Sequence, residues 1–150
     1  MERQKVKQLI KSYQQTYIFA MNQIHQAISE ISASTVDLSI EQFFVLREIA
    51  TYDGISATEL AATLAVNKSA ITPKLKKLVE KGYIRRERNQ LDKRAVVLTI
   101  SEKGNNVYEE CEKQLELLVN EWLEILGEKD SEQFFELFQK ITKSVVEPRQ

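Results

Sequence analysis

From Val6 to Ile31 the apolar residues Val6, Ile10, Tyr13, Tyr17, Ala20, Ile24, Ala27 and Ile31 recur in alternating steps of four and three. That is a heptad-like seam on one long helix. Leu9, Ile18, Met21 and Ile28 widen the stripe. So much apolar surface must be buried, within the monomer or against a second chain. The pattern breaks from Ser32 to Asp37. Ser39-Ile-Glu-Gln42 is a capping-box signature and opens a helix with Phe43, Leu46, Ile49 and Ala50 inward. Tyr52-Asp-Gly54 ends it, the glycine supplying the turn. Ser56-Ala-Thr-Glu59 is a second capping box, and it starts a short helix from Ala57 to Leu64. Ala65-Val66-Asn67 is a tight connection. Another helix reaches Lys81, with Ile71, Leu75, Leu78 and Val79 inward, and Gly82 closes it.

The period then changes. Tyr83 to Arg88 and Arg94 to Ile100 read as extended, and in the second Val96, Leu98 and Ile100 alternate with Val97 and Thr99. Such alternation is a strand pattern. Asn-Gln-Leu-Asp-Lys, 89–93, forms the hairpin tip. Ser101 caps the next helix, which carries Val107, Cys111, Leu115, Leu118, Trp122 and Leu126 at helical spacing until Gly127 stops it. Asp130 or Ser131 caps a last helix with Phe134, Phe138, Ile141 and Val145 on one face. The fold class expected is mainly α with a small β-hairpin. Two short helices joined by a tight turn and followed by a hairpin make a winged helix-turn-helix, in which the second helix enters the major groove of DNA. The chain divides into an N-terminal helix over 1–38, the winged core over 39–100 and C-terminal helices over 101–150.

Composition narrows the chemistry. The chain has 150 residues, one domain's worth, with one cysteine and one histidine. No internal disulfide can form, and a Cys/His zinc site wants about four such ligands. A nucleophilic triad would have to use His25, and nothing near it resembles a nucleophile's surroundings. No run of about 18 apolar residues exists, and the first residues lack the apolar core of a signal peptide. Four glycines and two prolines argue against a loop-rich or all-β fold. The expectation is a cytoplasmic helical protein that is not an enzyme, holds no metal or cofactor and meets no membrane.

Charge points to the partner. The net charge of −1 hides a segment, Asn67 to Arg94, with ten basic residues against three acids, a net of +7. The other 122 residues carry 11 basic and 19 acidic side chains, a net of −8. One basic surface on an otherwise acidic molecule suits a docked polyanion, and nucleic acid is the obvious one. With Ile71, Leu75 and Leu78 buried, Ser69, Ala70, Pro73, Lys76, Lys77 and Glu80 point outward from recognition helix 67–81. Small groups allow close approach to bases, and lysines suit phosphates. The helix N-terminus adds unpaired N–H groups. On wing 83–100, Arg85, Arg86 and Arg88 go out, and Lys93 and Arg94 come back. A wing-tip arginine suits a narrow minor groove. Asp92 is the odd acid, expected to pair with a wing arginine and hold the loop. The candidate DNA contacts are Ser56, Thr58, Asn67, Lys68, Ser69, Thr72, Pro73, Lys76, Lys77, Arg85, Arg86, Arg88, Lys93 and Arg94.

Residues 39–104 resemble the MarR (multiple antibiotic resistance regulator) family of transcription factors. The likeness rests on ISATELAATLAVNKSAIT, on KLKKLVEKGYIRRERN and above all on LDKRAVVLTISEKG. The last is similar to the family's wing signature: Asp-x-Arg, alternating apolar residues, then a closure ending in glycine, here Gly104. The resemblance implies a homodimeric bacterial repressor modulated by a ligand or by redox chemistry, with dimer contacts from the N- and C-terminal helices. By position Arg94 matches the family's wing arginine and Asp92 the acid before it. Ser69 and Thr72 fall in the first turns of the recognition helix. The family often places an effector pocket between the first helices and the DNA-binding lobe. Tyr13, Tyr17, Phe43 and Phe44 are its candidates here, against plain core packing.

Two readings of Thr72-Pro73 stand: a proline bending the helix, or Thr72 as cap with Pro73 at the first helical position. Thr-Pro here is similar to the hydroperoxide-sensing branch of the family, but that branch oxidises a cysteine near the N-terminus, and this chain has none before Cys111. Cys111 reads as a packing residue and His25 as a surface or packed one. The rival functions are a winged-helix protein-interaction module without specific DNA binding, a non-specific architectural binder and a small helical enzyme. The basic segment argues against the first, and no catalytic constellation supports the last.

Overall fold

The computed structural model describes residues 1–31, 38–89, 91–92 and 94–147. Among these, helix α1 (Arg3–Ile31) is followed by α2 (Ile40–Thr51), α3 (Ala57–Thr63) and α4 (Lys68–Glu80). Strands β1 (Ile84–Arg88) and β2 (Val96–Ile100) come next, and α5 (Glu102–Val146) ends the chain. This is the mainly helical order with one antiparallel hairpin that the pattern predicts. Apart from single-residue shifts at the ends of α3, α4 and β1, two boundaries differ. The returning strand starts at Val96 rather than Arg94. The C-terminal run is broken at Gly127 (φ 77°, ψ 169°), non-helical where the sequence predicts the first helix to stop, and glycine adopts this positive φ without a Cβ penalty. The second half resumes directly after the bend rather than at Asp130 or Ser131, and Ser131 Oγ donates to the Leu123 carbonyl across it at 3.0 Å.

The caps explain where the lobe's helices begin. Ser39 and Gln42 make a complete capping box: the Gln42 N–H donates to Ser39 Oγ (3.1 Å), and the Ser39 N–H donates to Gln42 Oε1 (3.3 Å). At Ser56 only the forward half forms, from the Glu59 N–H, so the second expected box is a simple cap. Ala65 turns the chain between α3 and α4 with φ 55°. Helix α4 begins at Lys68 and runs through Pro73. The reading with Thr72 as cap is therefore excluded, and the Ser69 carbonyl lacks the N–H that any residue but proline would bring to it.

One core binds these pieces. It takes Phe43, Leu46 and Ile49 from α2, Leu60 from α3, Ile71, Leu75 and Leu78 from α4, and Tyr83, Ile84 and Leu98 from the hairpin. Ile24, Ala27 and Ile28 of α1 and Val107 and Cys111 of α5 close it. The α1 seam is thus buried only near its C-terminal end, while Val6, Ile10 and Tyr13 lie exposed. Arg47 clamps α2 to α5 through Glu112, Nε to Oε2 and Nη2 to Oε1, each at 2.7 Å. His25 Nε2 donates to the Leu38 carbonyl at 3.1 Å, tying α1 to the start of α2. Cys111 is fully buried, and burial pushes its thiol up to about 12, as the packing reading expects.

Candidate nucleic-acid interface

The wing is anchored before it is charged. Its base is latched by Ser101, whose N–H donates to the Tyr83 carbonyl at 2.9 Å and whose hydroxyl donates to the Gly82 carbonyl. Gly104, in the first turn of α5, packs so closely that an added Cβ would fall 2.0 Å from the Tyr83 oxygen. The glycine of the wing closure is therefore a steric requirement of this joint. On its inner edge β2 pairs with Ile55, through Ile55 N–H to the Leu98 carbonyl (3.2 Å) and Leu98 N–H to the Ile55 carbonyl (2.8 Å). The hairpin is thereby fixed against the residues that lead into α3.

Register then sorts the arginines. Arg86 pairs with Leu98 and Arg88 with Val96, whereas Arg85 pairs with Thr99. Residues two apart share a face of a strand, so Arg86 and Arg88 lie on one face and Arg85 and Glu87 on the other. Arg85 Nε stands 3.9 Å from Glu87 Oε1. On the first face a cleft of about 370 Å³ runs between α3, α4 and the wing. It brings together Ser56, Thr58, Lys68, Thr72 and Arg86, five of the expected contacts, over an apolar floor that includes Leu75 and Leu98. Asn67, Ser69, Pro73, Lys76 and Lys77 are exposed along α4, as are Arg88 and Arg94 on the wing. Asn67 has the backbone of a cap but makes no side-chain cap bond, which leaves first-turn N–H groups to solvent or to a phosphate. Thr72 Oγ1 donates to the Lys68 carbonyl (3.0 Å). Lys93 lies outside the described residues.

At the wing tip Asp92 Oδ1 accepts the Arg94 N–H at 3.0 Å, and its carbonyl accepts the Ala95 N–H at 3.0 Å. The contact is with main chain where the sequence suggested a side-chain ion pair. The four aromatic residues offered as an effector pocket differ in burial. Phe43 is fully buried and belongs to the core, Phe44 and Tyr13 are exposed, and the half-buried Tyr17 donates its hydroxyl to Glu41 Oε1. That bond lowers the Glu41 pKa and raises that of Tyr17. The Tyr17–Glu41 and Arg47–Glu112 contacts had no local signal, since each joins residues far apart in sequence. The apolar floor of the cleft was readable from the strand alternation.

A helix-turn-helix with a basic hairpin latched beside its second helix defines a winged-helix DNA-binding protein. The MarR family model matches residues 38–96. The chain is 31% identical to the HTH-type transcriptional regulator BilQ of Clostridium symbiosum over 77% of its own length and 79% of that protein's. It is 32% identical to the multiple antibiotic resistance protein MarR of Salmonella typhimurium, over 65% and 67% of the two chains. Among solved structures, a cysteine-to-serine variant of E. coli MarR complexed with operator DNA superposes with a TM-score of 0.67 at 25% identity, over 92% of this chain and 93% of that one. The chain belongs to the MarR family of DNA-binding transcriptional regulators, which are not enzymes. No helix among the described residues is long and apolar enough to cross a membrane.

Proposed function

We propose that this chain is a homodimeric repressor that binds a pseudopalindromic operator. Helix α4 reads the major groove and the wing reaches the adjacent minor groove, with Ser56, Thr58, Asn67, Lys68, Ser69, Thr72, Pro73, Lys76, Lys77 and the arginines at 85, 86, 88 and 94 as the contact set. Lys93 joins that set on sequence grounds alone. Asp92 shapes the wing. The observation that carries the reading is the cleft, where Lys68 and Thr72 of α4 and Arg86 of the wing converge on one side of the molecule. The helices over 1–38 and 101–150 would supply the dimer. Two recognition helices then meet half-sites about 34–36 Å apart. A small-molecule effector would act by favouring a dimer with its helices wrongly spaced, and full reversal of such a switch needs about 5.5 kcal/mol of preference.

The test is fluorescence anisotropy with the promoter duplex beside this protein's own coding region, against a scrambled duplex, across a salt series. A preference of about 10³-fold or more is expected of a specific regulator, and Arg94→Ala should reduce the affinity. Equal, weak binding to both duplexes would instead mark an architectural binder, or an operator elsewhere. No binding at low salt would leave a protein-interaction module.

A further inference from the structure

Leu91 stands at the tip of the wing with 98% of its surface exposed. Single exposed leucines are ordinary and call for no explanation. This one differs in its neighbours and in how it is held. Arg88 and Arg94, both exposed, flank it on the two limbs of the hairpin. Its own N–H donates to Asn89 Oδ1 at 3.0 Å, and three residues on the Arg94 N–H donates to Asp92 Oδ1 at 3.0 Å. Between them the Asn89 N–H reaches the Ala95 carbonyl at 2.9 Å. These bonds hold the described main chain of the tip at Asn89, Leu91, Asp92, Arg94 and Ala95, while the Leu91 side chain is left to water. A contact held this way loses little conformational freedom when it meets a partner.

We propose that Leu91 is an apolar minor-groove contact, and that it makes the wing select A·T over G·C pairs beneath it. The inference rests on the reading that the wing enters the minor groove. That groove is about 6 Å wide and 7.5 Å deep, and its walls are sugar C–H groups, against which a leucine packs. Apolar side chains are a recurring device of minor-groove binders, which use them to press against or between base steps. The groove floor supplies the selectivity. A·T and T·A pairs present only acceptors, which the flanking arginines satisfy, whereas G·C adds the guanine N2 amino donor. A leucine over that amino group strips its water and returns no acceptor, and an unpaired buried donor is costly. The arginines supply attraction at any sequence, and the leucine makes it conditional.

The experiment uses the full-length protein and an operator duplex obtained by selecting randomised DNA on the wild type. Base pairs outside the recognition-helix half-sites are changed one at a time to A·T, G·C or inosine·cytosine. Inosine keeps the major-groove face of guanine but lacks its N2 amino group. At the wing position the wild type is expected to bind A·T and inosine·cytosine alike, and both more tightly than G·C. Leu91→Ala should bind the A·T operator about tenfold more weakly, the scale of one lost apolar contact, and discriminate little between pairs. Its salt slope should match the wild type, because no charge is removed, whereas Arg94→Ala should flatten the slope. Unchanged thermal melting of Leu91→Ala would assign the loss to the contact rather than the fold. Wild-type affinity and discrimination in Leu91→Ala would overturn the inference. So would inosine·cytosine behaving as G·C, which places the discrimination in the major groove. A wild type that selects no sequence would bring down the operator reading, and this inference with it.

Discussion

In the winged lobe Phe43, Leu46, Ile49, Leu60, Leu78 and Leu98 are at most 2% exposed. Along the helical arms, Ile10, Tyr13, Phe135 and Val145 are 61, 73, 64 and 66% exposed. Both regions carry apolar residues at regular spacing, and the arms bury only the part of their set that meets the lobe. The lobe draws its stability from side chains that meet inside the chain, with Ile24, Ala27 and Ile28 of α1 and Val107 and Cys111 of α5 closing its core. The arms leave large apolar side chains exposed, which the proposed dimer would cover. Periodicity alone reports that a face is to be buried. It does not report by whom.

The largest effect should come from within the lobe. Phe43→Ala leaves a cavity at the centre of the core and should cost about 3–5 kcal/mol of folding stability, read from the denaturant midpoint. A small loss would mean that Phe43 does line an adaptable pocket. Next come the arms. The pair Ile10→Asp with Phe138→Asp should halve the mass in sedimentation while the helical signal persists. Operator affinity should then fall by about 100-fold or more, because the two half-sites are no longer linked. If the mass stays that of a dimer, association runs through another surface.

Smaller effects sharpen the picture. Ser39→Ala removes the complete capping box at the start of α2 and should cost about 1 kcal/mol, measured as a lower Tm. The smallest concerns Cys111. Its folded pKa of about 12 lies above the ordinary 9.0, so folding favours the protonated thiol. That contribution is fully present below about pH 9 and is lost as pH rises toward 12. At pH 8 the native protein should react slowly with a thiol reagent and quickly once unfolded. Fast native reaction would reopen a redox role.

Local features were legible in the sequence. The complete cap at Ser39, the turns at Gly54 and Gly82 and the alternation of Val96, Leu98 and Ile100 are set by neighbours a few residues away, and they stand where expected. What escaped depends on distance or register. Arg47 and Glu112 are 65 residues apart. Phe43 and Phe44 are adjacent and alike in chemistry, yet one is core and the other exposed, because α2 buries a single face. The basic residues of the interface were evident as a charge excess, but which arginines face the cleft follows from the pairing of Arg86 with Leu98. Pro73 was ambiguous because a proline marks either the start of a helix or a gap in its hydrogen bonds.

Strand β2 ends at Ile100 and α5 begins at Glu102, so Ser101 alone separates the wing from the long helix that follows. Ser101 is also bound to the end of the preceding helix–strand connection, through Gly82 and Tyr83, and Gly104 leaves no slack there. The joint behaves as a stiff axle rather than a tether. From it α5 extends to Gly127 over 26 residues, roughly 39 Å at 1.5 Å each. A tilt of the arms therefore arrives at the hairpin as a change in angle, not as slack to be absorbed, and in the proposed dimer the angle at which two copies cross would set the spacing of their wings.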